Sequence, residues 1–214
     1  IWDHRSISSF IKSQNLLSLA LSKEGNIIVI NSAGDLIKVH GKSGDVYWSF
    51  NISRSMLAHA SDFFKSSVIV INDNDIFFSA GSSFFSYNLN NAYLNWEKNV
   101  SSVGTPIIDG KNIFFVTGNG YFIIMNKDTG KIISSTNILK ILKKRKQSTK
   151  ITGFIMGSGK IYSVTLNGYL IVSSASSGKV ESFKKIGDLI TSNPIINDGK
   201  LFIYTEDSRI LGFN

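Results

Sequence analysis

The sequence predicts an all-β protein, a β-propeller of four-stranded antiparallel blades, on three observations: an internal repeat, four short apolar runs within each copy, and turn-forming pairs between the runs. Trp48 lies fourteen residues after Gly34 and Trp96 fourteen after Ser82, and the same offset links Gly120 to Ser134 and Gly168 to Ser182. With Trp2 as the tail of an earlier copy, the markers stand at 2, 48, 96, 134 and 182, giving spacings of 46, 48, 38 and 48. Periods of about 40 to 50 residues belong to propeller blades or to helical arrays. The runs decide between them. They are about five to seven residues long and rich in Ile, Val, Phe and Tyr, too short for helices and suited to a pleated surface.

Taken in order, residues 1–6 read as an outer strand only, followed by copies at 16–50, 67–98, 103–136 and 151–184 and a last copy at 190–214 that lacks its outer strand. The third copy is the clearest, with Asp109-Gly110-Lys111, then 113–116, then Gly120-Tyr121-Phe122, then Asp128-Thr129-Gly130-Lys131. The fourth repeats this grammar with Ser158-Gly159-Lys160, Gly168-Tyr169-Leu170 and Ser177-Gly178-Lys179, and the first carries Gly34 and Ser43-Gly44. The second is the weakest, having Asn90-Asn91 where Ser or Thr followed by Gly is usual. Asp109-Gly110, Gly118-Asn119, Asn167-Gly168 and Asp198-Gly199 suit tight hairpins, because these residues reach positive φ cheaply and return each strand antiparallel to the last. Four such strands make a propeller blade.

Phase assigns each strand a place. The first of a blade, as at 67–72 or 190–196, is expected to line the channel; the second and third, as at 113–117 and 121–126, to lie between blades; and the fourth, with Trp48 or Trp96, to form the outer edge. If Trp48 is buried there, Trp48→Ala is expected to cost about 3 to 5 kcal/mol. The chain is expected to be a single, partial propeller domain. It opens on an outer-strand fragment without an initiator Met and closes on a third strand, so further blades are expected upstream. The alternative is a five-bladed ring closed by Trp2 joining the last copy.

Composition narrows the function. Hydrophobic residues make up 43% of the chain, enough for a sizeable core, and no apolar stretch reaches the length of a membrane-spanning helix. There is no cysteine, so disulfides and thiolate metal sites are excluded from this segment. The net charge of +8 raises the possibility of an anionic partner. Lys140, Lys143, Lys144, Arg145, Lys146 and Lys150 gather in the connection after the third copy, which reads as a solvated loop or as a contact to an anionic membrane surface or acidic partner. No nucleic-acid module surrounds them, and no nucleic-acid partner is expected. The other long connection, 51–66, carries Met56, Leu57, Phe63 and Phe64 and is more apolar.

Catalytic patterns are missing from the sequence. His4, His40 and His59 are scattered, with no ligand spacing around them. Gly157-Ser158-Gly159-Lys160 lacks the leading Gly of a phosphate loop and is followed by Ile161 where Ser or Thr is required, so it reads as a hairpin turn. Gly118-Asn119-Gly120 precedes a strand, not a helix, and Asp73-Asn74-Asp75 lacks the rest of a calcium loop. Asp45, Asp109, Asp128 and Asp198 stand in or beside turns and serve the local backbone.

This blade grammar of Asp-Gly-Lys, Gly-x-Leu or Gly-Tyr-Leu, and Thr-Gly-Lys with a following aromatic resembles the PQQ-like β-propeller repeat, and within it the BamB-type outer-membrane assembly lipoproteins. The residues that carry the resemblance are structural: Trp2, Gly34, Gly44, Trp48, Trp96, Gly120, Gly130, Gly168 and Gly178. The resemblance implies an eight-bladed periplasmic scaffold, tethered to the outer membrane by a lipid anchor that this segment does not carry. Such a scaffold is non-catalytic and needs no cofactor or metal. Its partners are the outer-membrane barrel insertase and the other subunits of the assembly machinery. The surface candidates are Met56, Phe63 and Phe64 in one connection and Lys143, Lys144 and Arg145 in the other. Two other classes use the same repeat: a sensor or adaptor propeller binding another envelope protein or ligand, and a quinoprotein dehydrogenase, which the missing cysteine pair and ligand cluster disfavour.

Overall fold

The structure, a computed structural model, describes residues 1–4, 18–31, 33–52, 66–142 and 149–214. They divide into two compact units, Ile1–Ser101 and Ser102–Asn214. In the first unit β1 (Ser18–Leu21), β2 (Ile27–Ile30), β3 (Asp35–Val39) and β4 (Val46–Asn51) form one sheet, and β5 (Val70–Asn72), β6 (Asp75–Ala80), β7 (Ser83–Asn88) and β8 (Leu94–Lys98) form another. In the second unit the four-stranded sheets are β9 (Ile107–Asp109), β10 (Asn112–Val116), β11 (Tyr121–Asn126) with β12 (Ile132–Asn137), and β13 (Ile151–Gly157), β14 (Lys160–Thr165), β15 (Tyr169–Ser174) with β16 (Val180–Lys185). A three-stranded sheet of β17 (Ile195–Asn197), β18 (Lys200–Tyr204) and β19 (Ile210–Phe213) follows. Every sheet is an antiparallel meander in chain order, the form of a propeller blade.

The turns explain the meander. Between β13 and β14, Ser158 (φ 50°) and Gly159 (φ 71°) both take positive φ, and between β17 and β18 Asp198 (φ 49°) and Gly199 (φ 73°) do the same. Two consecutive positive φ values give the hairpin turn whose twist matches the strands it joins. The second-to-third-strand turns use a side chain: the Thr117 hydroxyl accepts from the Tyr121 N–H, and Thr165 from Tyr169, each at 2.9 Å. Asn31 does the same for Asp35 at 2.9 Å through its amide oxygen.

Burial follows strand position. The second and third strands are covered on both faces, as in β6 and β7, whereas most of β16 and half of β4 and β12 are exposed. In the first unit, Ile28, Leu36, Ile52, Ile76, Phe78, Phe85, Tyr87 and Leu89 form one core shared by the two sheets. Its aromatic centre stacks Phe78 on Phe85 at 5.4 Å and brings Phe50 of β4 to 5.0 Å from Tyr87 of β7. Burial, helped by the Glu97 carboxylate, pushes the Tyr87 hydroxyl up to about 12, so it stays neutral. In the second unit Val164 and Leu170 pack on Ile190, Leu201 and Ile203, which joins the β13–β16 sheet to the three-stranded one.

Candidate functional site

The tryptophan phase has a structural meaning. Trp48, Trp96, Ser134 and Ser182 pair with Lys38, Ser86, Ile124 and Val172, and in all four sheets the register shifts immediately after that pair. The Trp48 indole N–H donates to the Leu89 carbonyl at 3.2 Å, which lies beyond the end of β7 in the next sheet. Trp2 donates in the same way to the Gly41 carbonyl at 3.0 Å, beyond the end of β3. Gly41 and Leu89 occupy equivalent positions, so each indole docks on the third-to-fourth-strand turn of the following sheet. Trp48 is half-buried, not buried, while Trp96 is buried against Phe77 and Phe84 at 6.0 and 5.9 Å.

The repeat glycines serve the second-to-third-strand turns (Gly34, Gly120, Gly168) and the third-to-fourth-strand turns (Gly44, Gly130, Gly178). Gly44 (φ 79°) has no room for a Cβ, which would lie 2.5 Å from the Trp2 ring. Gly168 (φ 76°) is as confined, since a Cβ there would fall 1.9 Å from the Gly187 carbonyl oxygen. Gly178 is the counterpart of Gly44 in the β13–β16 sheet, and there Thr136 and Phe122 fill the space that an indole fills over Gly44, with Ser134 standing at the tryptophan position. Gly34, Gly120 and Gly130 also take positive φ. In the second sheet the position equivalent to Gly44 and Gly130 holds Ala92, at φ 61°.

The two long connections leave their sheets at equivalent points. Each follows a fourth strand whose next residue is held to the second-to-third-strand turn, Ile52 N–H to the Gly34 carbonyl at 2.8 Å and Ile138 N–H to the Gly120 carbonyl at 2.9 Å. After β12 a short 3-10 turn (Ile138–Ile141) is capped by Asn137, whose side chain accepts from the Leu139 N–H, and it buries Ile138 and Leu139. On the far side, the Lys150 carbonyl accepts from the Leu166 N–H at 2.8 Å. Lys140 and Lys150, at the margins of the basic connection, are exposed. The remaining surface candidates, Met56, Phe63 and Phe64 and Lys143, Lys144 and Arg145, lie outside the described residues, as does His59.

Two features were hidden in the sequence. Lys38, in β3, is buried, with its ammonium 3.2 Å from the Leu89 carbonyl and 5.3 Å from the centre of the Tyr47 ring. Burial pushes its pKa below the usual lysine value, with the Glu24 carboxylate partly opposing. The second is that apolar side chains are exposed where fourth strands begin: Val46 and Tyr47 and Tyr93 and Leu94 in the first unit, and Ile132 and Ile133 in the second. Tyr93 is 73% exposed and Ile133 58%, so these strand starts offer apolar contact area. Among the described residues no group of three or more His, Asp or Glu side chains comes together to hold a metal ion.

The comparisons bear on this architecture. The model of the outer membrane protein assembly factor BamB family matches residues 2–136. The crystal structure of BamB from Moraxella catarrhalis superposes with a TM-score of 0.70 at 13% identity, covering 94% of this chain and 59% of that one. The computationally designed Ika8 protein gives the same TM-score at 11% identity, covering 94% of this chain and 59% of its own. The Cps50 (Swd1) β-propeller domain of Myceliophteria thermophila gives 0.68 at 11% identity, with 92% and 64% covered. This chain thus spans less than two thirds of the length of each. At such identities these likenesses show the fold, a β-propeller. No curated protein sequence matches. With well over half its length matched by one family model, the chain belongs to the BamB outer membrane protein assembly factor family of PQQ-like β-propellers.

Proposed function

We propose that this protein is a non-catalytic periplasmic scaffold that assists the assembly and insertion of β-barrel proteins into the outer membrane by binding other proteins. The family match over residues 2–136 carries the reading. The chemistry of the described residues supports it: the repeat residues dock indoles, fill turns and close sheets, and exposed side chains are left for contact. The partners are the outer-membrane barrel insertase and companion subunits of the assembly machinery, reached through the two long connections and the exposed apolar starts of the fourth strands. The basic connection around Lys143, Lys144 and Arg145 faces an anionic partner or membrane surface. The intact protein is an eight-bladed ring held at the outer membrane by an N-terminal lipid anchor.

The test is affinity purification of the tagged full-length protein from detergent-solubilised envelopes, with mass spectrometry of what accompanies it. Co-purification of the barrel insertase and its companion subunits is the expected result. Their absence from a folded, soluble preparation would overturn the reading and favour a sensor or adaptor propeller.

A further inference from the structure

The charge of this chain is divided unevenly. Residues 1–101 carry eight basic and eight acidic side chains and residues 102–214 carry fifteen and seven, so the second unit holds the whole net charge of +8. Each sheet of that unit has two ends, one made by the first-to-second- and third-to-fourth-strand turns, the other by the second-to-third-strand turn and the connections to neighbouring sheets. Six of the fifteen basic residues lie at the first end with four acidic ones. The connection end has nine basic residues against three acidic.

Leucines are exposed among these lysines. Leu166, in the β14–β15 turn, is tied by its backbone to the connections on both sides: its N–H donates to the Lys150 carbonyl at 2.8 Å, and its carbonyl accepts from the Ile190 N–H at 3.1 Å. Leu166 and Leu189 are both exposed, so two apolar side chains and Lys150 are held together on one hydrogen-bonded framework. The Lys185 ammonium donates to the Asn167 carbonyl of the same turn at 2.8 Å and pairs with Asp188 at 3.3 Å. The other two carboxylates of this end are engaged locally, Asp207 with Arg209 at 2.6 Å and Glu206 with the Thr191 hydroxyl at 3.0 Å. Lys140, Lys150 and Lys184 are exposed and make no ion pair among the described residues. The sequence between Lys140 and Lys150 adds four more basic residues.

The residue types select the partner. Protein interfaces are enriched in Arg and aromatic residues and depleted in Lys. Contact with an anionic bilayer uses the reverse choice, lysines at the phosphate level and aliphatic side chains entering the headgroup boundary. Here seven of the nine basic residues are lysines, and the two apolar side chains fixed beside them are leucines. We propose that the connection end of the second unit docks on an anionic lipid surface, with Lys140, Lys150 and Lys184 on the phosphate groups and Leu166 and Leu189 in the headgroup boundary. This contact rests on the proposed role of the basic connection and gives it a lipid partner.

The experiment is co-sedimentation of the non-acylated full-length protein with phosphatidylcholine vesicles containing roughly one-third phosphatidylglycerol, and with vesicles of phosphatidylcholine alone. Binding to the anionic vesicles only, lost at high salt, is the expected result. Lys140→Gln, Lys150→Gln and Lys184→Gln together are expected to weaken it roughly 100-fold, about fivefold for each lysine. Leu166→Ser with Leu189→Ser leaves the charge unchanged and is expected to weaken binding about tenfold. Lys111→Gln, Lys179→Gln and Lys200→Gln remove the same charge from the opposite end and are expected to leave binding unchanged; all these positions are exposed, and circular dichroism checks that each variant is folded. Equal losses in the two lysine triples would reduce the effect to net charge and overturn the proposal, and so would wild-type binding by the leucine variant. Retention on immobilised polyglutamate without vesicle binding would overturn it in favour of an acidic protein, and binding to neither would overturn it outright. Co-purification of the barrel insertase, measured separately, reports on the scaffold reading, so the two fail independently.

Discussion

Replacing Trp48 tests the contact that joins the first two sheets. The side chain is half-buried, packs against the shared core beside Phe50, and donates to the Leu89 carbonyl at 3.2 Å. About two thirds of the roughly 200 Å² that an indole can bury, at about 25 cal/mol per Å², amounts to ~3.3 kcal/mol. The hydrogen bond adds ~1 kcal/mol. No larger penalty for a stranded carbonyl is due, because the Lys38 ammonium also reaches that oxygen at 3.2 Å. Trp48→Ala is therefore expected to cost about 4 kcal/mol, while Trp48→Phe, which keeps most of the apolar area, costs about 1 kcal/mol. Urea unfolding followed by far-ultraviolet circular dichroism measures both without relying on the tryptophan signal that the substitution removes. A cost below about 1 kcal/mol for Trp48→Ala, or equal costs for the two variants, would refute the docking energetics worked out above.

Other substitutions probe the turns and the interior. Gly168→Ala is expected to destabilise by more than about 2 kcal/mol in the same assay, since it combines a positive φ with a Cβ 1.9 Å from the Gly187 oxygen. Ala92→Gly should stabilise by about 1 kcal/mol, because Ala92 holds at φ 61° a conformation that glycine adopts without steric cost. Ser163 and Ser173 are fully buried with hydroxyls that find no hydrogen-bond partner, so changing either to Ala should raise stability by about 1 kcal/mol. The Asp207 carboxylate is held below its ordinary value by the Thr205 hydroxyl first and by Arg209 second. Its contribution is therefore present above the usual aspartate range and is lost as pH falls through the lowered folded value; Asp207→Asn should flatten this part of the acid limb of the stability profile.

The fold was legible because its signals are local. Asp198-Gly199 and Ser158-Gly159 announce hairpins by the φ values their residues allow, and the tryptophan spacing holds its register through the bulge in each sheet. The weaker second copy shows where local reading fails. Ala92 takes the glycine conformation in a turn that Asn88 and Asn91 fasten with side-chain acceptors, a local solution that the usual Ser/Thr-Gly pattern does not announce. Lys38 is similar. A lysine in an apolar strand reads as solvent-facing, and only the arrival of the Leu89 carbonyl from the next sheet, fifty-one residues away, makes its burial possible. The exposed apolar side chains were less legible still, because residues such as Tyr93 and Ile133 obey no steric rule that a sequence pattern could encode.

The tryptophan acceptors are main-chain atoms, carried by a glycine at position 41 and a leucine at position 89. The Leu89 N–H is meanwhile spent on the Asn74 carbonyl of its own sheet, so the group that welcomes a neighbour is oriented by the completion of its own blade. The acceptor in such a joint does not depend on the side chain of the residue that carries it. Blades built this way are interchangeable modules: one could be duplicated, deleted or exchanged with that of a related chain and still meet a usable joint on its flank. The freedom left to the side chains on the outside is what allows one repeat plan to acquire different partners.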